Sequence, residues 1–178
     1  MTPDTQVDLA ALHAAVRDAI AARFPELATV ETYREDRTLP PLPACLIEME
    51  DMEPSDDPDP GTGQIALAAR WRARLILGFR TPEAALAVRR MAAALAHLVH
   101  LNRWGQPVAP ARVGLVGPDD FEPDLDRYSV WSVEWEQVVH VGESIWGGEG
   151  TLPIEVLMGL APAIGPENEG VYDPVVEP

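Results

Sequence analysis

Few residues in this chain could do chemistry, and most of those keep unsuitable company. His97 and His100 lie three apart in an Ala-rich stretch, a spacing that lets two imidazoles share a metal on a helix. No acid lies near them, so a helix-surface or interface role accounts for them more simply. His13 and His140 stand alone in the sequence. Glu134 and Glu136 alternate along a strand-like segment and could imitate a general acid–base pair. Arginines upstream explain them better, as ion-pair partners. There is no lysine, which removes the phosphate-binding loop that requires one. The glycines at 61–63 and 147–150 sit in breaker-rich loops, without the strand–turn–helix context of a dinucleotide fingerprint. A calcium loop fails too: counted from Asp57, the sixth position is Thr62 and the twelfth Ala68, where Gly and Glu are needed. No serine sits in a nucleophile-elbow sequence. The single cysteine, Cys45, permits no internal disulfide, and its apolar setting points to packing. The reading is of a chain that is not an enzyme and has no catalytic residue, cofactor or metal.

The residues with the clearest pattern are arginines. In GQIALAARWRARLILGFR (63–80), Ile65, Leu67, Ala69, Trp71, Ala73, Leu75, Leu77 and Phe79 share one parity, while Arg70, Arg72, Arg74 and Arg80 share the other. Strict alternation predicts a half-buried strand with an apolar face and an arginine face. RYSVWSVEWEQVVHV (127–141) answers it, with Trp131, Val133, Trp135, Val139 and Val141 on one parity and Glu134 and Glu136 on the other. Strands are also expected at 28–36, at 44–52 with Cys45, Ile47 and Met49 inward and Glu48 and Glu50 outward, and at 110–117.

Two helices must cover the apolar faces. One is expected over 6–24, capped by Thr5, with Leu9, Leu12, Val16, Ile20 and Phe24 on one side. The other is expected over 82–101, with Thr81 as cap, Pro82 in the first turn and a stripe of Ala84, Val88, Met91, Leu95, Leu98 and Leu101. The order α-β-β-β-α-β-β predicts an α+β fold, a single antiparallel-type (mixed) sheet of about five strands with both helices on one face. Its open face would carry Glu48, Glu50, Arg70, Arg72, Arg74, Glu134 and Glu136. Residues 143–178 lose periodicity and gain Gly and Pro, so the expected division is a domain at 1–142 and an extension at 143–178 that folds against something else.

Charge narrows the partners. The net charge is −16, spread as 4 Arg against 14 acids in residues 1–60, 8 against 1 in 61–115, and 1 against 14 in 116–178. Such a surface repels nucleic acid. No apolar run is long enough to span a bilayer, and the first residues lack the features of a signal peptide, so synthesis in the cytoplasm is expected.

The layout and some local text resemble a known family. Pro43-Ala44-Cys45-Leu46-Ile47-Glu48, a long strand running into a helix opened by Thr81-Pro82-Glu83, and a late strand ending Trp135-Glu136-Gln137-Val138-Val139-His140-Val141-Gly142 are similar to tail-terminator (tail-completion) proteins of tailed bacteriophages, of the Mu-like, contractile type. The similarity covers about residues 5–142; the 36-residue extension departs from it. The resemblance implies a virion protein of the tail or neck. It implies a hexameric ring that stops tail-tube polymerisation, meets the sheath where the tail is contractile, and joins the head–tail connector, with DNA only as passing cargo. On that reading Arg70, Arg72, Arg74, Glu134, Glu136 and Trp146 belong to subunit or partner contacts. Asp56, Asp57, Asp59, Asp119 and Asp120 would line or rim the lumen. Another head–tail joining or baseplate subunit, or a small-ligand-binding or regulatory α+β domain, fits the same residues.

Overall fold

The computed structural model describes residues 7–33, 40–56, 61–78, 80–119, 128–145 and 157–174. The chain divides into two compact units, Met1–Ile145 and Trp146–Pro178. The first begins with helix α1 (Leu9–Arg23), which presents Leu12, Val16 and Ile20 fully buried at four-residue spacing. Burying each such side chain contributes roughly 1.5–3 kcal/mol. The cap is Asp8, whose carboxylate accepts from the N–H groups of Ala10 at 2.8 Å and Ala11 at 3.3 Å. Asp8 thus fills the capping role expected of Thr5, which lies outside the described residues.

Five strands follow the predicted order around the second helix: β1 (Thr29–Thr32), β2 (Ala44–Pro54), β3 (Ile65–Gly78), α2 (Ala84–Val99), β4 (Arg112–Pro118) and β5 (Tyr128–Val141). They form one mixed α+β sheet in the order β1-β2-β3-β5-β4, parallel between β1 and β2 and antiparallel elsewhere. The central pair β3–β5 runs in unbroken register from Ile65↔Val141 to Gly78↔Tyr128. Ala69, Trp71, Ala73, Leu75 and Leu77 of β3 are buried, as the alternation requires, in one core with residues of both helices. At the far end of the other face, Ala44 and Ile76 are buried as well, where Leu42 comes close to Gly78.

Helix α2 departs from its expected start and stripe. Thr81 does not cap it: its carbonyl accepts from the Ala84 N–H in a turn through Pro82, and Glu83, left-handed at φ 50, occupies the cap position. The buried line is Val88, Ala92, Leu95 and Val99, while Leu101 is 63% exposed. Helix periodicity admits either line; the sheet decides which faces inward. Asn102 ends the helix by donating to the Leu98 carbonyl at 3.1 Å. The loop beyond is tied down by Gln137, which shares the inward parity of Trp135 and Val139. Its side chain, 1% exposed, accepts from Trp104 Nε1 at 3.0 Å and donates to the carbonyls of Ala109 at 2.7 Å and Asn102 at 3.2 Å.

The second unit has its own small framework. Strands β6 (Leu157–Met158) and β7 (Asp173–Pro174) pair antiparallel, with a 3-10 helix at Pro166–Val171 between them. Tyr172 closes it: its hydroxyl accepts from the Gly165 N–H and donates to the Gly165 carbonyl at 3.0 Å. A Cβ at Gly159 would run into the Tyr172 ring. The change of character at 143 comes slightly before the structural division, because Ile145 still donates to the Thr62 carbonyl at 2.8 Å in the first unit.

Candidate interaction surface

The outward parity of β3 lifts three guanidinium groups above the sheet, and six carboxylates from its neighbours meet them. Arg72 bridges Glu50 on β2 at 3.0 Å and Glu134 on β5 at 2.9 Å. Arg74 bridges Glu48 on β2 at 2.9 Å and Asp119, just past β4, at 2.9 Å. The second contact crosses over β5 at Ser132, the small residue in register with Arg74. Arg70 pairs with Asp51 at 2.7 Å and Glu53 at 2.8 Å, both on β2. The planar five-donor fork of arginine makes this two-sided bridging possible.

Sequence parity misplaces the partners of Arg70. Alternation along β2 puts Asp51 and Glu53 on the face opposite Glu48. The register shift between Met49 and Asp51 makes Glu50 the extra residue of a β-bulge, and beyond it the parity reverses. Asp51 comes opposite Arg70, and Met52, displaced with it, is 41% exposed. No side-chain pattern announced the bulge.

Solvent access differs along the row. The Arg70 side chain is 50% exposed and its partners 45% and 68%; Asp51, by hydrogen bond and charge, and then Glu53 hold it more firmly protonated than usual. The Arg74 side chain is 22% exposed and that of Asp119 only 8%. Burial works against the Arg74 charge, but Glu48 and Asp119 outweigh it and raise its proton affinity. Asp119, expected at a lumen, therefore has its carboxylate engaged inside its own subunit. Asp56 is exposed. Asp57, Asp59, Asp120 and Trp146 lie outside the described residues.

Glu136 behaves differently from Glu134. It stands in register between Arg70 on β3 and Arg112 on β4 but forms an ion pair with neither. It opens instead into a groove of about 440 Å³ at that end of the face, with Ala68 and Val138 beneath and Glu53, Asp56 and Arg112 at its sides.

The remaining titratable residues are structural in their contacts. His13 is not isolated as its sequence setting suggested: its ring packs against Trp71 with centroids 4.6 Å apart, and Nε2 lies 2.8 Å from the Tyr33 hydroxyl. Tyr33 sits past the end of β1 at φ 47, which ends the strand earlier than expected. Cys45 is fully buried, and burial pushes its thiol up to about 12, so it stays neutral and unreactive. His97 and His100 are exposed on α2 and just beyond it, and among the described residues no three of His, Cys, Asp or Glu gather as a metal site. No helix among the described residues is long and apolar enough to cross a membrane. Compared with known proteins, the chain matches no family model and no curated protein.

Proposed function

We propose that this chain is a structural subunit of a phage tail, assembling as a six-membered ring. The ring ends growth of the tail tube, and of the sheath in a contractile tail, and joins the tail to the head connector. It works without catalysis, cofactor or metal, in the virion tail or neck after synthesis in the host cytoplasm. The observation that carries this reading is the character of the sheet face opposite the two helices. It is built as a cross-strand ladder of arginines and carboxylates, an extended patterned surface of the kind that sets register with another protein. The sequence similarity supplies the particular assembly. The acidic excess supports a channel along which DNA slides without adhering, because like charges repel.

Two-dimensional class averages of the purified full chain test the proposal directly. Six-fold rings with a central channel support it, as does arrest of elongation when the protein is added to polymerising tail-tube subunits. A uniformly monomeric protein that leaves tube length unchanged overturns it.

A further inference from the structure

We infer that copies of this chain join through unlike faces, the outward surface of α2 in one copy seating on the open sheet face of the next at the Glu136 groove. This rests on the ring reading for its closure but names the surfaces that make the contact. The two faces are opposite in charge. The ion-pair ladder shares three guanidinium groups among six carboxylates, so it keeps a net charge of −3 even when fully paired. At its end Glu136 and Asp56 add further carboxylates, against the single Arg112. The helix side is the reverse: from Ala84, through α2 and the loop beyond it, to Ala109 there is no acidic residue. Arg89 lies over the Trp131 ring at 5.0 Å, whereas Arg90 and Arg103 are exposed and make no ion pair among the described residues. Leu86, 42% exposed and one turn before Arg90, and Leu101, 63% exposed and two residues before Arg103, add apolar surface near each arginine.

The groove suits such an occupant. Its floor of Ala68 and Val138 can take the aliphatic stem of an arginine, and Glu136 supplies a carboxylate for the guanidinium. Both helices cover one side of the sheet and the groove lies on the other, so one surface cannot meet itself. A contact between unlike surfaces is head-to-tail, and it propagates into a ring or a filament instead of stopping at a two-fold dimer.

The test uses full-length chains and mass measurement in solution. Arg90→Glu/Arg103→Glu spoils the helix surface, and Asp56→Arg/Glu136→Arg spoils the groove. All four residues are exposed, so circular dichroism and melting should match wild type. Each variant alone should be monomeric, its self-association weakened about tenfold or more. Mixed one to one, they should co-assemble in alternation, since each junction then pairs either the native or the exchanged charges. A chain carrying both sets of changes should regain assembly through the exchanged charges. Variants that each assemble alone like wild type, a mixture that stays monomeric, or a monomeric wild-type chain would each overturn the inference. If wild type forms six-fold rings that the variants leave intact, this interface is wrong and the ring reading stands. If wild type forms an open filament that the variants abolish, the interface stands and the ring reading falls.

Discussion

Substituting glutamine for each of Arg70, Arg72 and Arg74 in turn removes the same charge from one strand face, yet the three losses should differ in order. Arg70 and its partners are about half exposed, so solvent and salt screen the pairs and the side chains surrender rotamer freedom to make them. Arg70→Gln should leave the urea midpoint indistinguishable from wild type. Arg72 is 24% exposed between two carboxylates each 31% exposed, and losing both bridges should cost about 1 kcal/mol. Arg74→Gln takes a charged donor from Asp119, whose side chain is only 8% exposed. Losing a charged hydrogen bond at so nearly buried a carboxylate should cost about 2–3 kcal/mol, between the values for exposed and buried pairs. Asp119→Asn should recover part of that loss in the double variant, giving a coupling of about 1 kcal/mol or more. The assay is equilibrium urea unfolding at low and at molar salt. High salt should erase any Arg70 effect while sparing most of the Arg74 effect. Equal losses at the three positions, or an additive Arg74/Asp119 pair, would refute the ranking by burial.

Other outcomes follow from the same contacts. Because the folded Cys45 thiol keeps its proton up to about pH 12 while an unfolded thiol loses it near 8.5, its contribution is complete below about pH 8.5 and lost as pH rises through 12. Wild type should therefore lose stability faster than Cys45→Ala above about pH 9, by up to ~1.4 kcal/mol per pH unit; parallel urea-midpoint curves would count against it. Gln137→Leu leaves the Trp104 indole and the Ala109 carbonyl without this partner, while the Asn102 carbonyl keeps the Ala111 N–H, and should cost about 2–4 kcal/mol by urea unfolding, with a loss under ~1 kcal/mol contradicting the role. A chain ending at Ile145 should keep its unfolding free energy within about 0.5 kcal/mol of the full chain, because among the described residues the buried core runs from Val7 to Val139. A truncated chain without cooperative melting would show that the C-terminal unit belongs to that core.

The sequence by itself determined the α+β class, the number of strands in the main sheet and the arginine row. Each rests on a periodicity that the chain carries locally: two residues per repeat for β3 and β5, and three to four for α1. It also placed Cys45 in the core, since its neighbours alternate with polar residues in a strand. What depends on long-range pairing was not legible. The bulge at Glu50 leaves no mark in residue type, yet it turns Asp51 and Glu53 onto the charged face and gives Arg70 its partners. Asp119 looked like one acid among several in a polar connection. Only the antiparallel pairing of β4 with β5 carries it across Ser132 to Arg74. His13 and Tyr33 are twenty residues apart, and meet because α1 lies over the sheet edge where β1 ends. The contrast between Glu134 and Glu136 has the same origin. Both share one strand parity, and only the placement of neighbouring strands leaves one paired with Arg72 and the other lining a groove.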